Sequence, residues 1–124
     1  MNDGRRVVLT GIAVAGYQAF SEEVVFRSAV FVLLAHRLRL PQAVTLSVAL
    51  FLAAHLPRWE SLISGPYALH LILAGAAFAI AYVRTGTIWL GFGMHFGWNL
   101  GAYLLLEGSP RFADLAGDLP TGWL

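Results

Sequence analysis

The sequence predicts an all-α fold, a polytopic membrane helix bundle of about four transmembrane helices, and three observations point there. Of 124 residues, 58% are hydrophobic and 12% charged, with a mean hydropathy of +0.69, whereas soluble proteins average about 45 to 50% apolar. The charged residues gather between apolar runs instead of spreading along exposed faces. The runs themselves have helical length and are punctuated by proline, glycine and arginine.

The first helix is predicted from Val7 to about Ala35, interrupted only by Gln18 and the cluster Ser21, Glu22, Glu23 and Arg27. At that length it spans about 44 Å, so it must tilt, kink or protrude. The polar start, Met1 to Arg6, leads into no small-residue cleavage pattern, so this helix is expected to be retained. Pro41 opens a second helix that continues through Ala43 to about His55, with Pro57 just past its end. The loop Arg58 to Pro66 holds Trp59, Glu60, Ser61 and Ser64 and reads as interfacial. A third helix comes next, about Tyr67 to Val83, whose Ala74, Gly75, Ala77, Ala79 and Ala81 allow close backbone approach. After the turn Arg84 to Thr87 the fourth helix covers about Gly91 to Leu106, and a tail rich in Gly, Pro and Asp leaves the bilayer. Residues 1–124 read as one domain without repeats.

The expected partners are therefore the lipid bilayer and not nucleic acid, because eight arginines, no lysine and a net charge of +1 make no phosphate-tracking surface. With no cysteine, disulfides, thiolate metal sites and Cys nucleophiles are excluded. Arg5, Arg6, Arg58 and Arg111 fall on one side and Arg37, Arg39 and Arg84 on the other, which gives only a slight preference for a cytoplasmic N-terminus.

An ionisable group at the bilayer centre costs about 2.5 to 3.5 kcal/mol on insertion scales, so each one requires a reason. Glu23 and Arg27 stand at i and i+4 with the acid first, the favourable order for a helical ion pair. Glu22 points about 100° away and is the carboxylate left free to act as a general base. His95 and Asn99 are also i and i+4, so imidazole and carboxamide can donate to a single point, as an oxyanion hole requires. Phe51 lies one turn before His55 and would hold its ring in one rotamer. His70 belongs to no such pair and reads as a packing histidine, while Trp98 sits among the polar residues. Neither Ser21 nor Ser64 lies in a serine-nucleophile context.

Depth can be checked by counting. From a turn near Arg39, Glu22 lies seventeen residues before and His55 sixteen after, both about 25 Å up their helices. From the turn near Gly86, His95 is nine residues along, only about 13 Å. Gly86 to Leu90 is therefore predicted to run extended and lift His95 toward the others.

The segment Glu22 to Arg27 resembles an EExxxR motif, Phe51 to His55 an FxxxH motif, and His95 to Asn99 an HxxxN motif. Together, in this order, they resemble the three signatures of the CPBP family of intramembrane endopeptidases, which includes CaaX prenyl proteases and bacterial relatives linked to bacteriocin processing and immunity. The similarity extends over about Gln18 to Tyr103, with Ser28 standing where a glycine is common. The resemblance implies a multi-pass protease of a bacterial cell membrane acting on a peptide or protein substrate. It implies that Glu22 activates water, His55 assists, His95 and Asn99 stabilise the oxyanion, and Glu23 and Arg27 support the site. One glutamate and two histidines would also satisfy a catalytic zinc, with Glu22, His55 and His95 as ligands. The metal-free reading is favoured because Asn99 pairs with His95 and no HExxH helix exists. A non-catalytic membrane protein of the same fold, serving bacteriocin immunity or partner binding, is the alternative.

Overall fold

A computed structural model describes residues 3–55 and 65–107. Among them the chain is helical, with short turns and no strand. The loop expected at Arg58 to Pro66 and the tail lie largely outside the described residues, and with them Trp59, Ser64 and Trp123.

The first helical rod is continuous but not uniform. Helix α1, Asp3–Glu23, passes into a π-helical segment, Val24–Phe31, and then into a final α-helical turn, α2, Val32–Ala35. The apolar pattern predicts a helix here and carries no signal of its change of pitch. The change falls at the charged cluster, where π segments commonly mark functional sites.

Helix α3 covers Leu40–Ala54 with Pro41 in its first turn, where a missing N–H costs nothing. The Gln42 side chain accepts the Arg39 N–H at 3.1 Å and so caps the turn. Helix α4, Pro66–Thr85, starts on proline and ends at Gly86, whose left-handed φ of 68° lets its N–H close onto the Tyr82 carbonyl. After residues 86–88, helix α5 runs over Trp89–Ala102 and is continued by a second π segment, Tyr103–Glu107.

The expected extended stretch from Gly86 to Leu90 is absent. Ile88 is already helical in backbone and accepts the Phe92 N–H at 2.7 Å. Two features replace it. The Phe31 and Tyr82 rings meet at 5.7 Å, so the turn at Gly86 lies roughly one helical turn, about 6 Å, deeper than the turn near Arg39. Side chains also lean toward the N-terminus of their own helix, so groups on antiparallel neighbours lean toward each other.

That antiparallel register is visible along α1 and α5. Tyr103 lies over Gly11, Phe96 over Gly16, and the Phe20 ring meets Phe92 at 6.0 Å and Trp89 at 6.4 Å. Opposite them, α3 packs on α4 and α4 on α5, while the π segment of the first rod touches both α3 and α4. Gly75 makes the α3–α4 approach possible, since a Cβ there would stand 3.2 Å from the Phe51 ring.

Alanines, a few large apolar side chains (Phe31, Phe51, Leu71 and Phe78) and polar groups fill the interior. The buried apolar residues include Ala15, Ala19, Ala43, Ala79 and Ala81, and the largest fully buried side chains are Arg27, Phe51, Glu23 and Ser47. Leu9, Leu33, Leu73, Trp89 and Leu105 are exposed. An apolar exterior over a charged interior is the inversion that hydrocarbon solvation allows. Of the four transmembrane helices expected, one among the described residues, Pro66–Thr85, is by itself long and apolar enough to cross a bilayer. Leu40–Ala54 is apolar but shorter, α1 carries Arg5, Arg6, Glu22 and Glu23, and α5 has 14 residues.

Gly75→Leu is expected to destabilise the fold by about 1 to 3 kcal/mol through overpacking against Phe51 and Val48. Thermal unfolding in detergent, compared with a substitution at an exposed residue such as Leu73, measures it.

Candidate active site

At the end of α1 the backbone places two consecutive carboxylates at the α1–α5 seam. Glu23 is fully buried and shared. Its Oε2 lies 3.4 Å from Arg27 Nε, while its Oε1 accepts from His95 Nδ1 at 3.2 Å. The sequence predicts the Arg27 pair; the bond to His95 joins residues 72 apart in the chain and could not be counted out. Glu22, with its side chain 30% exposed, presents Oε2 at 3.7 Å from His95 Nε2. One imidazole thus stands between two carboxylates on the same helix.

Arg27 occupies the middle of the bundle. Its Nη2 reaches the Gly75 carbonyl at 3.5 Å, and its guanidinium lies 5.2 Å from the Phe51 ring centre and 5.7 Å from that of Phe78. Such faces attract a cation that has left water. Phe78 also stacks on His95, with centroids 4.7 Å apart and planes at 16°. Phe78 and Gly91 are absent from the sequence-based site, because each acts through a contact between helices and no spacing within one helix marks them.

His55 closes α3 and is fixed by that position. Its Nδ1 lies 2.8 Å from the Phe51 carbonyl. A carbonyl only accepts, so Nδ1 carries a proton, and in the neutral ring the lone pair is then on Nε2. The Phe51 ring touches both imidazoles, at 4.8 Å from His55 and 6.3 Å from His95. Phe51 is thus the packing partner expected for His55, and a link between the two histidines as well. Asn99 lies half-buried one turn beyond His95, and its side chain makes no hydrogen bond among the described residues. His70 stacks on Trp98 at 4.5 Å, a packing role on the α4–α5 seam.

Buried polar atoms without a hydrogen-bond partner concentrate here, several of them in ion-pair range. Among the described residues they are Glu22 Oε2, Glu23 Oε2, Arg27 Nε and Nη1, and Ser47 Oγ, all but the last in this one cluster.

The family model described as type II CAAX prenyl endopeptidase Rce1-like matches residues 4–101, a span that contains all three motifs. The chain belongs to the Rce1-like family. No curated protein and no solved structure matches it. Membership places the chain in a membrane-embedded family of peptide hydrolases, in keeping with its apolar exterior.

For the Rce1-like chain, zinc ligation requires Glu22, His55 and His95 to converge. Among the described residues no group of three or more His, Cys, Asp or Glu side chains is disposed to hold a metal ion. His95 commits Nδ1 to Glu23, and His55 is linked to it through the intervening ring of Phe51.

Arg27→Met leaves the Glu23 charge buried without its guanidinium and is expected to cost about 3 to 5 kcal/mol, whereas adding Glu23→Gln should recover part of that loss. Unfolding midpoints of the single and double variants in detergent test this. A single variant as stable as the parent would show that the pair does not hold the fold.

Proposed function

We propose that this Rce1-like protein is a multi-pass intramembrane endopeptidase that hydrolyses a peptide bond near a membrane-associated C-terminus or within a membrane-associated peptide. A glutamate-activated water is the nucleophile. The observation that carries the proposal is the pair Glu22 Oε2 and His95 Nε2, 3.7 Å apart, with Oε2 buried and without a hydrogen-bond partner. That separation is too long for a direct hydrogen bond. It lets the two groups address different oxygens on one tetrahedral carbon.

Glu22 accepts a proton from water as the water oxygen attacks the carbonyl carbon. His55 holds the water through the Nε2 lone pair that its bond to the Phe51 carbonyl leaves outward. The carbonyl oxygen takes up the displaced electron pair, and His95 donates to it from Nε2 while Nδ1 remains on Glu23. Asn99, one turn along, supplies the second donor. Collapse of the intermediate breaks the C–N bond, and the proton held by Glu22 passes to the leaving amine. Glu23 and Arg27 orient His95 without touching the substrate.

Mass spectrometry of candidate peptides incubated with the protein in lipid tests the reading. Glu22→Gln and His55→Ala are expected to lower kcat by about 10²- to 10⁴-fold, and Asn99→Ala by about 10²- to 10³-fold. Turnover should survive a chelator; a requirement for stoichiometric zinc would replace this mechanism with a metal-bound one. Folded Glu22→Gln protein that cleaves like the parent would sink the enzyme assignment and leave the non-catalytic role in immunity or partner binding.

A further inference from the structure

The glycines of α5 divide sharply. A Cβ added at Gly93, Gly97 or Gly101 would meet nothing within 4 Å. At Gly91, which is buried, it would stand 2.8 Å from Glu23 Oε2, 3.5 Å from Glu23 Cδ and 3.7 Å from the Phe78 carbonyl oxygen. Cβ atoms do not approach an oxygen that closely, so something would have to shift. Gly91 has no positive φ, so its backbone does not require glycine. Space is what requires it.

The group that would yield is the carboxylate, the far end of a flexible side chain. That carboxylate is also the one holding His95 Nδ1 at 3.2 Å and facing Arg27 at 3.4 Å. Displacing it releases the imidazole to turn about its own side-chain bonds, and the direction of Nε2 toward Glu22 is lost. We infer that Gly91 is a positioning residue of the active site: its missing side chain lets Glu23 hold His95 in the orientation that aims Nε2 at the reacting atoms. Gly91 stands one helical turn before His95 on the same face of α5, so one helix carries both the oriented group and the space that orients it. The catalytic meaning of the inference rests on the proposed reaction, whereas its geometric content does not.

Two readouts keep these apart. In the ¹⁵N-histidine-labelled protein in lipid nanodiscs, Gly91→Ala is expected to move or abolish the His95 Nδ1 proton resonance, and Gly97→Ala to leave it in place. In peptide cleavage, Gly91→Ala is expected to lower kcat by about 10- to 100-fold, the scale of a misplaced catalytic group. In a Glu23→Asp background the shortened side chain leaves the new methyl nothing to strike. There Gly91→Ala should change kcat by less than about 2-fold, the non-additivity of groups in contact. If Gly91→Ala alone fails to fold while the pair folds, the same collision is demonstrated through stability. An unmoved resonance, or an equal loss of activity in both backgrounds, overturns the inference. A resonance that moves in a protein whose parent cleaves no peptide upholds the positioning and defeats only the protease reading.

Discussion

Glu23 carries a charge where hydrocarbon would not tolerate one alone, and the arrangement of the surrounding helices depends on how that charge is shared. Arg27 faces it from the next turn of the same rod, His95 donates to it from α5, and Arg27 extends the chain of contacts to the Gly75 carbonyl of α4. Burying two opposite charges recovers their desolvation only when the geometry is close and the remaining groups find partners. The packing of this bundle supplies that geometry. Phe51 and Phe78 enclose the guanidinium, Phe78 stacks on the imidazole, and glycines at 75 and 91 bring the backbones close enough for short side chains to meet.

The same constraint explains why leucines face outward and alanines inward. In water such a surface would drive aggregation, but in lipid the exterior gains nothing from burial, so close backbone packing and polar contacts decide which faces meet. Alanines at 15, 19, 43, 79 and 81 provide the approach, and the ion pair and its imidazole provide the specificity.

Much of this was legible in the residues themselves, and the part that was not has a common cause. Pairs within one helical turn could be read directly: Glu23 with Arg27, Phe51 with His55, and the ends of the third helix within two residues of Pro66 and Thr85. Contacts between helices depend on relative depth, which a sequence does not state. Counting from the turns assumed that Arg39 and Gly86 lie at one level, and the Phe31–Tyr82 contact shows that they do not. Phe78, placed against both Arg27 and His95, is an aromatic in an alanine-rich helix and carries no local signal of its position.

The π segment Val24–Phe31 comes directly after the two carboxylates and contains the arginine that pairs with one of them. Its wider turn shifts the phase of α2 relative to α1, so the α1 face packed on α5 and the later face packed on α3 and α4 are matched only at this residue count. Loss of one residue between 24 and 31 with the wider turn kept would set Phe31 back by somewhat less than about 100° relative to Glu22, whereas relaxation of the rod into a plain α-helix would offset most of that rotation. A one-residue deletion in this eight-residue stretch is thus absorbed only if the π turn is lost with it.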